Sequence, residues 1–101
     1  MLHMQIAIPQ KEVAAFCQQY PIRKLSLFGS VIREDFNSSS DIDILIEFEP
    51  NAGIGYFEFV QMQMELSKIF GRNVDLLTPA SLSHYFRESV LNTARVIYAK
   101  E

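Results

Sequence analysis

The sequence predicts an α+β fold, a small mixed β-sheet flanked by helices. Three observations predict it. Residues 42–48 (Ile-Asp-Ile-Leu-Ile-Glu-Phe) are rich in β-branched and aromatic residues, as strands are. Residues 56–70 form a long apolar-rich stretch with helical spacing, stopped at Gly71. Strand-like and helix-like segments alternate along the rest of the chain, in the order helix–strand–strand–helix–strand–helix.

The elements are expected in the following order. Residues 9–19 read as a helix: Pro9 suits a first turn, Val13, Phe16, Cys17 and Tyr20 follow helical spacing, and Pro21 stops it. Residues 23–28 alternate apolar and polar and read as a strand ending at Gly29. Residues 30–35 suit a short helix. The strand at 42–48 and the helix at 56–70 follow. Residues 73–77 (Asn-Val-Asp-Leu-Leu) read as a third strand. Thr78-Pro79 resembles a helix cap with proline in the first helical position, and residues 82–93 read as the last helix. Val96-Ile97-Tyr98 suits a short edge strand.

The chain has 101 residues, about one compact domain, and the expected organisation is a single domain over residues 1–101. Its net charge is −3. Proteins that grip nucleic acid by its backbone carry a basic surplus, so the charge argues against nucleic acid as the main ligand. No apolar run approaches the roughly 20 residues of a membrane span. The first residues lack the charged-then-apolar layout of a secretion signal. A single cysteine, Cys17, fits a reducing compartment. A cytoplasmic protein without membrane contact is expected.

The chemistry lies in Asp41-Ile42-Asp43. Side chains alternate faces along a strand, so Asp41 and Asp43 share one face while Ile42, Ile44, Ile46 and Phe48 take the other. Two neighbouring carboxylates repel, and a cation between them relieves the repulsion. Magnesium suits such a pair because it prefers oxygen ligands and leaves positions open for phosphate. Asp75, on the next strand, faces Asp41 and Asp43 if the two strands are neighbours. Three carboxylates holding one or two metal ions can clamp an in-line phosphoryl displacement. Taken alone, each acidic motif is also compatible with a solvated strand face.

Upstream, Gly29-Ser30 directly follows a strand. A glycine lets the backbone approach a ligand closely, and a helix starting at Ser30 would aim free N–H groups at the same place. The Ser30 hydroxyl adds a donor, and Arg33 is one helical turn on. An isolated Gly-Ser pair is an ordinary turn. The combination with a paired-carboxylate strand and a third aspartate is what points to a triphosphate site.

In that combination the sequence resembles a known family. Leu27-Phe28-Gly29-Ser30, then Ser40-Asp41-Ile42-Asp43-Ile44-Leu45-Ile46, then Val74-Asp75-Leu76-Leu77 is similar to the pattern of the DNA polymerase beta-like nucleotidyltransferase superfamily. The short length resembles its minimal nucleotidyltransferases, which act as antitoxins paired with HEPN-type toxins. The resemblance implies that Asp41, Asp43 and Asp75 are the catalytic, metal-binding carboxylates. It implies that Gly29, Ser30, Arg33 and Ser40 bind the nucleotide, that magnesium is the cofactor and ATP the substrate, and that the acceptor is a hydroxyl on a partner toxin.

Two features carry an alternative, a catalytically weak antitoxin that neutralises by binding. Glu34 stands where the group has glycine, near the presumed triphosphate. The 56–70 helix has an unusually wide apolar arc, with Phe59, Met62, Leu66, Ile69 and Phe70 on one side of its polar stripe and Tyr56, Phe57, Val60 and Met64 on the other. Part of that arc is expected either to meet a partner or a second copy, or to bury within the domain. His84 is expected at the surface rather than as a ligand, and Cys17 in the core.

Overall fold

The computed structural model describes residues 8–29 and 41–100. The expected helix at 30–35 lies outside them. Helix α1 spans Gln10–Gln19, one residue later than the spacing predicts, because Pro9 takes the position before the first turn. Its carbonyl accepts the Val13 N–H at 2.9 Å. Val13, Phe16 and Cys17 are buried from one side of α1, the i, i+3, i+4 face that the sequence pattern marks. Strand β1 (Ile22–Phe28) begins one residue earlier than expected and pairs antiparallel with β2 (Ile42–Phe48).

Helix α2 (Tyr56–Phe70) then carries the chain across the sheet, and Gly71 ends it in the left-handed conformation at φ 68°. Strand β3 (Val74–Leu77) lies parallel to β2, the arrangement for which a helical crossover provides the return. A 3-10 turn at Pro79–Ser81 precedes α3 (His84–Thr93), and β4 (Arg95–Ala99) pairs antiparallel with β1. The strand order is β3-β2-β1-β4, a mixed sheet with β3 and β4 at its edges.

Thr78 and Pro79 do cap a turn, but it is the 3-10 turn rather than the last helix. The Ser81 hydroxyl accepts the Thr78 N–H at 3.1 Å and donates to the Thr78 carbonyl at 2.8 Å, which closes this turn on itself. Leu82 and Ser83 are extended, so α3 starts two residues later than the apolar spacing suggests. Arg87 stitches the junction, donating from Nε to the Pro79 carbonyl at 2.9 Å and from Nη2 to the Leu82 carbonyl at 3.2 Å.

The sheet has two unequal cores. One face carries Leu25, Leu27, Ile42, Ile44 and Ile46 against α1 and α2, all essentially without solvent contact. The other carries Phe28 and Leu45 against Leu82, just after the 3-10 turn, and Val90 of α3. Strand β2 therefore buries apolar side chains on both faces. Only Asp43 and Glu47, on the side of the smaller core, break the apolar run inside it.

Cys17 is 2% exposed, and burial pushes its thiol up to about 12. The Tyr20 phenol is raised as well, by burial and then by its hydrogen bond to Glu65 and the charges of Glu65 and Glu58. A free thiol ionises near about 8.5 in an unfolded chain. Above that pH the unfolded state releases a proton that the native state keeps. Stability should therefore fall as pH rises from about 9 towards 12, by up to about 1.4 kcal/mol per pH unit for this thiol. Urea titrations at pH 8 and pH 10 test this, with iodoacetamide as a second readout. Cys17 should be alkylated only once urea unfolds the chain, and rapid labelling of the native protein would refute the assignment.

Candidate active site

The site forms at one end of the β2–β3 pair. Asp43 sits in β2, where its strand neighbours Ile42 and Ile44 anchor it from the opposite face with no exposed surface. Asp75 sits in β3 between buried Val74 and Leu76. The two strands place Asp43 and Asp75 directly side by side in the parallel register. Neighbouring strands are about 4.8 Å apart, so two acidic side chains on the same face crowd one another. Asp41 precedes β2 and is exposed. The Ile42 N–H donates to the Asn73 carbonyl at 2.9 Å, which ties the start of β2 to the start of β3.

Gly29 ends β1 on the other side of Asp43. Phe28 is the register partner of Asp43, so the next residue turns directly over it. Gly29 has φ 75°, and a Cβ placed on it would run into the Asp43 carboxylate, with the carboxyl carbon 3.1 Å away. Both requirements point to glycine for independent reasons, one conformational and one steric. From the sequence, Gly29 is expected to let the backbone approach a ligand closely. The same missing side chain also leaves room for the Asp43 carboxylate.

Asp41 and Asp75 line an open cavity of about 570 Å³, shared with Gln63, Met64, Ser67 and Lys68 of α2 and with Asn73 and Val74. Its wall is mixed: a lysine and three uncharged polar side chains beside the two acids. A second hollow of about 430 Å³ lies between α1 and α2 and is mainly apolar, with Phe16 and Ile69 in its wall.

The donor set suits magnesium. Every candidate ligand is a carboxylate oxygen, and a hard divalent cation prefers such donors. Among the described residues, no three His, Cys, Asp or Glu side chains close into a metal cage. Magnesium commonly binds through one or two carboxylates and completes its shell with water and substrate phosphate, so an open set of acids is compatible with a metal shared with a nucleotide. Ser30, Arg33 and Ser40, expected to bind the nucleotide, lie outside the described residues, as does Glu34.

Gln63 and Ser67 escaped the sequence reading. The Leu76 N–H donates to Gln63 Oε1 at 3.0 Å, and the Val74 N–H donates to Ser67 Oγ at 3.0 Å. The only sequence signal was their i, i+4 spacing on α2, which is too common to single out. Sequence reasoning about the rest of α2 fared better. Met62 and Leu66 are fully buried and Phe59, Ile69 and Phe70 pack against the core, while Tyr56, Phe57 and Met64 are exposed. Among the described residues, the wide apolar arc is thus only half covered. His84 is exposed on α3, as expected.

A mixed sheet with acids on adjacent strands and a glycine turn at their end is compatible with a nucleotidyltransferase-type site. Residues 11–101 match the family described as polymerase beta, nucleotidyltransferase, and the chain belongs to that family. A chain of Methanocaldococcus jannaschii to which protein adenylyltransferase activity is ascribed is 31% identical over 91 residues, covering 90% of this chain and 96% of that one. The protein adenylyltransferase MntA of Thermococcus cleftensis is 30% identical over 81 residues, covering 80% and 78%. Among solved structures, a chain of a toxin–antitoxin complex with AMP-PNP superposes with a TM-score of 0.72 at 17% identity, covering 91% of this chain and 74% of that one. A chain from the tri-AMPylated Shewanella oneidensis HEPN toxin in complex with its MNT antitoxin superposes with a TM-score of 0.65 at 17% identity, covering 91% and 71%. At that identity the two structures establish the fold. Among the described residues, no helix is long and apolar enough to cross a membrane.

Proposed function

We propose that this chain is a single-domain, magnesium-dependent protein adenylyltransferase that moves AMP from ATP to a hydroxyl of a HEPN-type toxin, as the antitoxin of a cytoplasmic toxin–antitoxin pair. The observation that carries this reading is the side-by-side register of Asp43 and Asp75, with Asp41 two residues upstream and the Gly29 backbone turned over Asp43. The adenylyl group is taken from the names of the sequence relatives, and the toxin partner from the complexes whose chains share the fold.

In this reading Asp41 and Asp43 hold the metal, and Asp75 completes the set. Bound magnesium neutralises triphosphate charge and favours ionisation of the acceptor hydroxyl. Asp75 is exposed on an edge strand and faces the open cavity, where its carboxylate can take the acceptor proton. The turn at Gly29 brings backbone close to the phosphates without a side chain in the way. Ser30, Arg33 and Ser40 complete the triphosphate contacts. The acceptor comes from outside, since a cavity open to solvent can admit a side chain of another protein.

A second reading, neutralisation by direct binding, draws on exposed Tyr56, Phe57 and Met64, which offer an apolar surface for a toxin or a second copy. Purified protein incubated with magnesium and α-phosphate-labelled ATP in lysate from its source cells separates the two. An Asp41→Asn, Asp43→Asn double variant runs alongside. One labelled protein band with the wild type alone is the expected result. Toxin captured equally by both proteins, with no label transferred, would establish the binding role instead.

A further inference from the structure

The geometry points to Gln63 and Ser67 as positioning residues for Asp75: two acceptors on α2 that hold the backbone on either side of this carboxylate. The inference rests on the reading of Asp75 as a metal-site residue. It starts from a problem that every edge strand has. Strand β3 is four residues long and, among the described residues, has a neighbouring strand, β2, on one side only. In a parallel ladder, alternate N–H groups point towards the neighbour and the rest point away. Here the Val74 and Leu76 N–H groups point away from β2, and these two residues flank Asp75.

Helix α2 supplies the missing acceptors. Gly71 reverses the chain, so β3 runs back along the end of the helix that precedes it. Residues four apart on a helix are separated by about 6 Å along its axis, and residues two apart on a strand by about 6.6 Å. Gln63 and Ser67 therefore match Leu76 and Val74 in the reverse order, and both contacts close at 3.0 Å. Ser67 Oγ also donates to the Gln63 carbonyl at 3.0 Å, which fixes the hydroxyl with its lone pair towards Val74. Asp75 is thus gripped from both sides, by β2 through the ladder and by α2 through its two neighbours. An ordinary edge strand of this length could slide or fray, and a shift of about 1 Å at a reacting group is enough to matter.

The same two side chains line the cavity that holds Asp75 and Asp41. Contacts that orient a metal ligand typically contribute 10–100-fold to metal affinity. The test measures Mn²⁺ binding to the full chain by electron paramagnetic resonance, beside amide hydrogen exchange. Gln63→Leu removes one acceptor while keeping bulk. Ser67→Ala removes the other, and Ser67→Thr restores a hydroxyl. Tyr20→Phe serves as a stability control, because it removes the 3.0 Å bond to Glu65 on the same helix, away from the acids.

The expected result is a loss of protection at the Leu76 or Val74 amide with Mn²⁺ affinity down about tenfold in Gln63→Leu and Ser67→Ala. Ser67→Thr and Tyr20→Phe should bind Mn²⁺ like the wild type. If Gln63→Leu does not fold, the Ser67 pair carries the comparison. Folded variants that lose amide protection but keep wild-type Mn²⁺ affinity, beside an Asp75→Asn variant that loses it, would overturn the positioning role alone. An Asp75→Asn variant that binds Mn²⁺ normally would overturn the site reading, and the positioning role with it.

Discussion

Asp43→Asn should lower nucleotidyl transfer on the order of 10³-fold, about 4 kcal/mol in the barrier, while the chain still folds. Asp43 stands beside Asp75 in the parallel register, anchored by strand neighbours that allow it no retreat. Like charges directly opposite on a sheet destabilise by roughly 0.2–1 kcal/mol. Asparagine removes the charge while filling nearly the same volume and keeping a hydrogen-bonding group, so the variant separates the charge from the packing. In the proposed reaction, the same pair of charges would hold the metal that the triphosphate shares. Urea melts in chelator and single-turnover transfer in excess magnesium measure the two effects separately. A variant that transfers AMP at the wild-type rate would remove Asp43 from the site. A variant that unfolds would show instead that the carboxylate is structural.

Gly29→Ala should cost stability and activity together, with the activity loss the larger. The backbone there is at φ 75°, where an alanine is strained by roughly 1–2 kcal/mol. The new methyl group would also meet the Asp43 carboxylate, and either the turn or the carboxylate must move. Gly53 separates the two contributions. It has nearly the same conformation, φ 68°, with open space where a Cβ would stand. Gly53→Ala should therefore lose only the conformational part and transfer AMP normally once folded. Denaturation midpoints and transfer rates for the two alanine variants give the comparison. Equal activity in both would mean that the approach of Gly29 to Asp43 has no bearing on the reaction.

The wide apolar arc of α2 shows where a local pattern stops being informative. Spacing alone separates the arc into two sides of the polar stripe, and the structure keeps that division: Met62 and Leu66 have no exposed surface, whereas Phe57 is 87% exposed. Nothing in the spacing says which side meets the sheet. That depends on how α2 lies over β2 and β3, and hence on residues far away in sequence. The start of α3 makes the same point at a helix end. Apolar spacing runs back to Leu82, but Ser81 closes its own turn on Thr78 and Arg87 holds the carbonyls of Pro79 and Leu82. Side-chain hydrogen bonds, which a hydrophobic pattern does not encode, decided the boundary.

By itself, the sequence determined the α+β class and the faces of α1 and β2, whereas Asp41, expected on the strand face of Asp43, precedes β2. The class and the faces follow from covalent geometry and from periods of 3.6 and 2 residues, which act over a few neighbours. Only the tertiary structure decided that β3 lies parallel to β2 with Asp75 level with Asp43, that Gly29 packs on the Asp43 carboxylate, and that Gln63 and Ser67 serve the exposed edge of β3. Each of these joins segments separated along the chain. Register and edge pairing are set by which faces bury together and by which backbone groups would otherwise stay unpaired, and that choice is made by the whole sheet with its helices rather than by any one segment.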